Sequence, residues 1–274
     1  MKTLRLALIQ SQVFACKEKT ITRVKELAHQ AAANKAQVIC LPECFNCPYG
    51  VQHFPKYAEQ IPGGPTSLML SDLAKDLSVH LIGGSVPERD ENDKLFNTCL
   101  IYGPDGSLLG KHRKIHLFDI DIPGGQKFTE SEVLSPGNEL TTFNIGPWKV
   151  GIGICYDIRF HELSTAYTRQ GCQLLVYPGA FNMTTGPKHW ELLVRGRAND
   201  HQAYVAACSP ARDENAGYVA WAHSTVCDPW GAVVCKAGCG EEIVYGDLDM
   251  DTVETVRAAI PTSQQKREDV YGKS

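Results

Sequence analysis

Apolar residues along the chain follow two periodicities, and segments of the two kinds alternate from the N-terminus onward. Short aliphatic runs bounded by Gly, Pro or Asp are typical of buried strands, and nine such runs are present. They span residues 5–9, 38–41, 79–83, 98–102, 150–155, 174–177, 204–207, 224–227 and 243–249. Apolar residues at helical spacing predict amphipathic helices over residues 21–31, 70–77, 160–167 and 190–194. This alternation favours a layered α/β fold, and the late strands that follow one another without helices favour mixed sheets.

Length and composition indicate an ordinary globular chain. Its 274 residues are 43% hydrophobic and 21% charged, and they suffice for a large core with a walled pocket. The net charge of −4 and the lack of a long Lys/Arg run argue against a nucleic-acid surface. The first apolar stretch is short and interrupted by Arg5, so we expect no secretory signal, and no run of 18 apolar residues predicts a membrane span.

The eleven cysteines are an odd number, and most lie inside apolar, strand-like runs. This usage is typical of reduced, buried thiols in a cytoplasmic protein, and a mitochondrial pool stays open. A zinc site is the rival interpretation, because Cys40, Cys44 and Cys47 place three thiols within eight residues. Cys40 falls inside a predicted strand rather than an open loop, so we predict no metal site.

Cys155 differs from the other cysteines because it ends an apolar strand just before a predicted helix. A strand-to-helix turn exposes a side chain and directs free main-chain N–H groups at it, which favours a thiolate and a developing oxyanion. The alternative to a nucleophile is a structural cysteine packed in the core. A histidine base is a further alternative, with His116, His189 and His223 as candidates.

Glu43 and Lys114 are the charged residues that suit such a cysteine. Glu43 is the first charge after the strand at 38–41, and its apolar neighbours predict a desolvated carboxylate with a raised pKa. Lys114 directly precedes an apolar stretch, and a buried lysine requires a carboxylate partner. The alternative for Glu43 is a solvated glutamate in a loop, and the alternative for Lys114 is a place in a solvated, basic edge strand.

Together these segments resemble the signature of the nitrilase-type carbon–nitrogen hydrolase superfamily. Glu43 follows Leu-Pro, Lys114 lies in Arg-Lys-Ile-His-Leu, and Cys155 lies in Gly-Ile-Gly-Ile-Cys-Tyr-Asp-Ile-Arg-Phe. Three motifs in the right order are far more specific than one, and the likeness runs from about residue 4 to 271. Within the superfamily the chain is most similar to omega-amidases, through residues 43–49, 177–182, 184–193 and 228–231.

The resemblance implies a four-layer α-β-β-α sandwich, with one domain over residues 1–274 and no cofactor. It also implies a homodimer, and we expect the tail from about 250 to 274 to pack on the partner subunit. The implied reaction is hydrolysis of short dicarboxylate monoamides such as 2-oxoglutaramate and 2-oxosuccinamate through a cysteine thioester. Other hypotheses stay open: deaminated-glutathione amidase, nitrilase or N-carbamoyl hydrolase, acyl transfer, or a non-catalytic metabolite-binding or interaction protein.

The resemblance also implies roles for further residues. Glu130 matches the second glutamate of the family, and we expect it to orient Glu43 and Lys114. We expect Arg159 to bind the distal carboxylate of the substrate, because a planar guanidinium suits that group. Three residues match pocket positions of the family and are expected to shape a short cavity: Tyr49, Phe181 and Thr185.

Overall fold

The computed structural model describes residues 2–124 and 126–272. Its described strands are β1 (Thr3–Gln10), β2 (Val38–Cys40), β3 (His80–Ile82), β4 (Val86–Arg89), β5 (Leu95–Tyr102), β6 (Leu108–Arg113), β7 (Asp119–Asp121), β8 (Lys127–Thr129), β9 (Thr142–Ile145), β10 (Trp148–Ile152), β11 (Leu174–Pro178), β12 (Tyr204–Cys208), β13 (Thr225–Cys227), β14 (Val233–Lys236) and β15 (Glu242–Asp249). Its described α-helices are α1 (Lys17–Ala33), α2 (Phe54–Tyr57), α3 (Pro65–Leu77), α4 (His161–Arg169), α5 (Gly186–His201), α6 (Met250–Ala259) and α7 (Glu268–Tyr271). Two short 3₁₀ helices span Glu130–Glu132 and Cys155–Arg159.

The strands form two large sheets, and each mixes parallel with antiparallel neighbours. The first has the order β15-β1-β2-β3-β5-β4, with β6 paired to β5, and the second has the order β14-β13-β12-β11-β10-β9. Strands β1, β2 and β3 run parallel, as do β10, β11 and β12. The carboxyl ends of such parallel strands are where α/β proteins build their ligand sites.

The core divides the molecule into four layers. Alternate residues of β1 point to opposite faces of their sheet, so Leu6 and Leu8 belong to the cluster shared with the second sheet. Ala7 and Ile9 instead belong to the cluster that includes residues of α1 and α3. Helices α4 and α5 cover the outer face of the second sheet, where Val194 packs into the core. The layer order is therefore α-β-β-α, and the predicted fold is confirmed.

All nine predicted strands are present, with ends shifted by at most three residues. The nine do not include β4, β6, β7, β8, β9 and β14. These are short or solvent-facing strands, where the alternation of apolar residues is weak. The strand predicted over 150–155 ends at Ile152, so Cys155 begins a 3₁₀ helix rather than ending a strand.

The C-terminal segment begins inside the chain's own fold. Met250 and Val253 of α6 are buried in the central cluster, whereas residues 260–272 lie mostly at the surface. Residues 273 and 274 of the expected tail lie outside the described residues. In the described ranges, no helix combines the length and the apolar character that a membrane span needs.

Candidate active site

Three segments bring their polar residues together at one end of the two sheets. Glu43 lies just beyond β2, in a loop that Ser85 holds by accepting the main-chain N–H of Cys44 at 2.9 Å. Lys114 is the first residue after β6, and its main-chain N–H donates to the carbonyl of Asn97 at 2.8 Å. Hydrogen bonds of the main chain thus hold the backbone beside Glu43 and at Lys114 in place, independently of the contacts between their side chains.

Glu43, Lys114 and Glu130 form a buried ion cluster. Lys114 Nζ donates to Glu43 Oε1 at 3.0 Å and lies 2.8 Å from Glu130 Oε2. All three side chains have no exposed surface. The predicted burial of Lys114 against a carboxylate partner is therefore confirmed, although Glu43 precedes it by 71 residues in the sequence.

Glu130 is held from three directions. Its Oε2 accepts the main-chain N–H of Phe118 at 2.8 Å, and its Oε1 accepts the hydroxyl of Tyr49 at 2.7 Å as well as Lys114 Nζ at 3.0 Å. A buried carboxylate with this many donors stays in one orientation. Glu130 thus fixes the lysine, and Tyr49 is part of the same hydrogen-bond network.

The cluster shifts the pKa values of its members. Burial alone lowers the pKa of Lys114, but the charges of Glu130 and Glu43 outweigh it and raise that pKa well above its usual range. Burial raises the pKa of Glu43, as the sequence predicted, and the charge of Lys114 only partly offsets the rise. Lys114 therefore remains an ammonium group, and Glu43 is suited to proton transfer near neutral pH.

Cys155 starts a 3₁₀ helix and has a strained backbone. Its φ of +48° lies in the left-handed region, which a side chain other than glycine rarely adopts. The neighbouring strand end stays close, because a Cβ placed on Gly179 would lie 3.3 Å from Cys155 Cα. The turn leaves the first N–H groups of the short helix without acceptors inside it.

The resting state of Cys155 differs from the sequence prediction. The helix start was expected to favour a thiolate, but burial and the nearby charge of Glu43 raise the pKa of Cys155 well above its usual range. The ammonium of Lys114 and the main-chain N–H of Ala180 only partly oppose this rise. The sulfur therefore rests as a thiol, and a base has to remove its proton before it attacks.

Glu43 is placed to act as that base. Its Oε1 accepts from Lys114 and from Asn97 Nδ2, the latter at 2.9 Å, whereas no N–H or O–H group of the described residues donates to Oε2. The thiol of Cys155 is close enough that each group alters the pKa of the other. Oε2 is thus a free acceptor beside a protonated sulfur.

A cavity of about 300 Å³ lies against this cluster. Glu43, Tyr49 and Ala180 line it, together with part of the loop over residues 210–220. Cys155 does not line it in this conformation, but Ala180 does, and the N–H of Ala180 faces the Cys155 sulfur. The volume suits a small ligand rather than a peptide or nucleic acid.

Arg159 lies at the end of the 3₁₀ helix that Cys155 begins. Its guanidinium lies 4.7 Å above the centroid of the Phe181 ring and donates to His189 Nδ1 at 3.2 Å. No carboxylate of the described residues forms an ion pair with it. Burial lowers the pKa of Arg159, yet a guanidinium stays charged.

Phe181 and Thr185 occupy different surroundings. Phe181 is buried, with its ring edge-on to Trp190 at 5.1 Å, so it forms a floor beneath Arg159. The hydroxyl of Thr185 donates to Asn182 Oδ1 at 3.0 Å in the turn that starts α5. Thr185 therefore shapes the turn, and it reaches a ligand only through its remaining lone pairs.

The rival histidine bases are occupied elsewhere. His116 Nδ1 lies 2.7 Å from Asp157 Oδ1, and His189 Nδ1 contacts Arg159. His223 Nδ1 lies 3.0 Å from the carbonyl oxygen of Ala237. These contacts favour Glu43 over a histidine as the partner of Cys155.

The three thiols of the rival zinc site point into different clusters. Cys40 belongs to the core between the sheets, whereas Cys44 and Cys47 pack with Phe54. Residues 2–124 and 126–272 contain no group of three His, Cys, Asp or Glu side chains arranged to hold a metal ion.

Three residues of the site were not identified from the sequence. Asn97 binds Glu43, and an asparagine within the fully buried β5 is the signal that points to it. The ring of Tyr218 lies 4.5 Å from that of Tyr49, tilted by 40°, and its hydroxyl donates to the carbonyl of Ala180 at 2.6 Å, but it lies in an irregular loop with no sequence signal. Asp157 is buried two residues after Cys155.

A family model, related sequences and a solved structure all indicate the same family for this chain. The model of the carbon–nitrogen hydrolase family matches residues 5–258. Omega-amidase NIT2 of Mus musculus is 59% identical over 271 residues, covering 99% of this chain and 98% of the relative, and that of Bos taurus is 58% identical with the same coverage. The crystal structure of Saccharomyces cerevisiae Nit3, a member of branch 10 of the nitrilase superfamily, has a TM-score of 0.90 and 41% identity, covering 97% of each chain.

Proposed function

The chain belongs to the carbon–nitrogen hydrolase family, and from that premise we propose that it is an omega-amidase. It hydrolyses the amide of short dicarboxylate monoamides, such as 2-oxoglutaramate and 2-oxosuccinamate, to the dicarboxylate and ammonia. Relatives that share 58–59% of their residues over almost the full length are omega-amidases. The observation that carries the proposal is a protonated, buried thiol beside a free carboxylate oxygen and a paired ammonium group.

The reaction starts with the thiol of Cys155. Glu43 Oε2 takes the thiol proton as the sulfur attacks the amide carbon, and a tetrahedral intermediate forms. Burial raises the pKa of the Glu43 carboxylate, which makes it a stronger base toward the thiol than an exposed glutamate would be. The negative charge moves to the former carbonyl oxygen, where the ammonium of Lys114 and the main-chain N–H of Tyr156 stabilise it.

The second half of the reaction returns each group to its starting state. Glu43 gives its proton to the departing nitrogen, the carbon–nitrogen bond breaks, and ammonia leaves a thioester on Cys155. A water molecule, deprotonated by Glu43, then attacks the thioester and releases the acid and the thiol. Glu130 holds Lys114 in place throughout, because its own oxygens are fixed by Phe118 and Tyr49.

Selectivity for acidic substrates comes from Arg159. It is a partly buried cation without a carboxylate partner among the described residues, four positions after the nucleophile. A substrate carboxylate supplies the missing negative charge. The rings of Phe181 and Tyr156 contact the guanidinium and restrict its orientation. Tyr49 lines the cavity and limits the length of the substrate, and Thr185 supports the pocket through the turn that it forms with Asn182.

The test is a panel of amides with ammonia release as the measurement. The panel contains 2-oxoglutaramate, succinamate, deaminated glutathione and a neutral amide of similar length. We expect the first two to give the highest kcat/KM and Cys155→Ala to abolish turnover. Highest turnover of deaminated glutathione would replace the proposed substrate, and activity in Cys155→Ala would contradict the mechanism.

An Arg159→Met variant separates selectivity from chemistry in the same panel. Methionine keeps the apolar stem over Phe181 but removes the charge. We expect kcat/KM for the acidic amides to fall by roughly 100-fold, and that for the neutral amide to stay within a few-fold of its starting value. Equal losses for both would exclude Arg159 as the carboxylate anchor.

We further propose that the protein works as a homodimer in the cytoplasm. Leu192 of α5 is 66% exposed and lines one surface groove with the half-exposed Trp230, and such an apolar pair on an outer helix suits a subunit interface. Most cysteines are buried as small apolar residues of the sheets and loops, which suits a reducing compartment.

A further inference from the structure

Asp157 is a fully buried carboxylate that no step of the proposed reaction uses. Its Oδ2 accepts the main-chain N–H of Ile154 at 2.8 Å. Its Oδ1 accepts the main-chain N–H of His116 at 2.9 Å and lies 2.7 Å from the ring Nδ1 of the same residue. Burying a carboxylate is costly unless donors surround it, so these bonds hold Asp157 firmly in place.

These bonds join two segments that are far apart in the sequence. Residues 114–118, here called the lysine loop, contain Lys114 and His116. Residues 153–160, here called the nucleophile turn, contain Ile154 and Cys155. One oxygen of Asp157 binds within the nucleophile turn and the other binds the lysine loop, 41 residues away in the sequence.

Aromatic contacts on either side of Asp157 reinforce the junction. The ring of His116 stacks on Phe160 with centroids 3.6 Å apart and planes 8° from parallel. The ring of Phe118 lies edge-on to Tyr156 at 5.3 Å. The lysine loop and the nucleophile turn therefore pack as one unit, with the carboxylate at its centre.

A weaker contact ties Asp157 to the strand that precedes the lysine loop. His112 Nε2 of β6 lies 3.4 Å from Asp157 Oδ2, and His112 Nδ1 lies 3.1 Å from Thr141 Oγ1. His112 and His116 each stand two residues from Lys114. Asp157 thus contacts the chain on both sides of the lysine.

We propose that Asp157 is a positioning residue that sets the placement of Lys114 relative to Cys155 by clamping the lysine loop to the nucleophile turn. The inference rests on the proposed function, since it concerns the same site. It adds a group that touches neither the substrate nor the reacting atoms and acts chiefly through Ile154 and His116, with the weaker contact to His112. Because these hydrogen bonds and the histidines hold the pKa of Asp157 well below its usual range, the clamp stays charged at neutral pH.

Hydrogen exchange of the free, full-length protein tests the clamp without a substrate. In Asp157→Asn, one oxygen is replaced by an NH₂ group that cannot accept, so one of the two ties is lost. We expect the amide hydrogens of both Ile154 and His116 to exchange at least about 10-fold faster, because each segment steadies the other. Faster exchange in only one segment, or in neither, would overturn the clamp.

Steady-state kinetics then test whether the clamp matters for turnover. We expect kcat of Asp157→Asn to fall by about 10- to 100-fold while KM changes less than about threefold, since misplacement affects the reacting groups more than the binding of the ground state. The limbs of the pH profile should not move, because Asp157 does not titrate in this range. Unchanged kcat despite faster exchange would refute the positioning role.

Two further variants guard against a simple loss of stability. His116→Phe keeps the stack on Phe160 and the main-chain bond but removes the Nδ1 contact, and it should lower kcat by a smaller factor. Combined with Asp157→Asn it should add nothing, because both changes break the same junction. Full additivity would contradict the clamp, and His116→Phe decides the question if Asp157→Asn does not fold.

Glu59→Gln is the matched control. Glu59 is also a buried carboxylate, held by Thr66 and Lys17, but it contacts neither segment of the clamp. We expect it to lower the melting temperature while kcat is retained, and an equal loss of kcat would overturn the proposal. If the wild-type chain hydrolyses no amide of the panel, the proposed function fails, whereas the exchange measurement still decides whether the clamp exists.

Discussion

At the scale of single residues, Lys114 decides the electrostatics of the site. Its ammonium lies within 3.0 Å of an oxygen of both Glu43 and Glu130, and none of the three side chains reaches solvent. Without the cation, two carboxylates would share one desolvated space, and one of them would have to bind a proton. Lys114 therefore keeps the cluster ionised, in addition to the oxyanion role proposed for it.

We predict that Lys114→Met raises the barrier to turnover by about 3 kcal/mol or more, roughly 100-fold in kcat, because an oxyanion donor is lost. Ammonia release at saturating substrate measures this loss. Lys111→Met is the control, since Lys111 pairs with Glu88 at 3.1 Å outside the cluster. A loss in Lys114→Met no larger than in Lys111→Met would contradict the role of Lys114.

The same variant should change how stability depends on pH. With the lysine gone, the folded-state pKa of Glu43 rises further above the unfolded value, which is about 4.3, because the opposing charge of Lys114 is removed. A group with a raised folded pKa stabilises the fold below its unfolded pKa, and this stabilisation is lost as pH rises through the folded pKa. Urea unfolding at about pH 5 and pH 8 should therefore show a larger deficit at the higher pH, and an equal deficit would contradict this account.

Residue chemistry was predictable where a local sequence feature determined it. The apolar neighbours of Glu43 predicted its raised pKa, and the apolar stretch after Lys114 predicted its burial. The protonation state of Cys155 was not predictable, because it depends on the distance to Glu43, which only the folded chain defines. The presence of Tyr218 in the site was not predictable either, because its contacts with Tyr49 and Ala180 exist only in the folded chain.

At the scale of elements, the turn from β10 into the 3₁₀ helix has almost no spare space. A Cβ on Gly153 would lie 2.5 Å from Cε1 of the Tyr177 ring and 3.1 Å from Asp157 Cβ. Tyr177 is buried and its hydroxyl is bonded to Ser164 at 2.9 Å, so its ring cannot withdraw. The glycine therefore sets the path that carries Cys155 to its position.

We predict that Gly153→Ala shifts this turn and costs about 1–3 kcal/mol of stability, together with most of the activity. Thermal unfolding followed by circular dichroism measures the first quantity, and ammonia release measures the second. Gly240→Ala is the control, because nothing lies within 4 Å of its added methyl group. Full activity in Gly153→Ala would show that the turn tolerates a shift.

Long, buried elements followed from periodicity, and surface elements did not. The stripe over 70–77 lies in α3, and the run over 174–177 lies in β11. The exposed edge strand β14 and the polar hairpin of β7 and β8 bury too little apolar surface to leave a clear pattern. Their pairing depends on contacts with distant segments, which one sequence does not contain.

At the scale of the whole molecule, both outer helical layers carry an exposed leucine, and one of the two lines a groove with a tryptophan. Leu192 and Trp230 meet beside α5, on the side of the second sheet that faces away from the first. Leu68, on α3 over the opposite sheet, is similarly exposed at 56%. Leu68 and Leu192 are therefore comparable in exposure but lie on opposite outer layers, so Leu68 can serve as a control for Leu192.

We predict that the protein has about twice its chain mass of 30.1 kDa in solution and that Leu192→Glu reduces it to a monomer. A charge placed in a packed interface loses its hydration without gaining a partner. Light scattering after size-exclusion chromatography measures the mass. Leu68→Glu should leave the mass unchanged, and a monomeric wild-type chain would contradict the dimer.

The raised pKa of Cys155 has a consequence for exposure to oxidants. Peroxides react with thiolates and scarcely with thiols, so a cysteine that keeps its proton is a poor target for them. Cys16 and Cys239 lie at the surface and meet such reagents first. Burial and the neighbouring carboxylate of Glu43, which together keep the sulfur protonated, would thus protect Cys155 during oxidative stress.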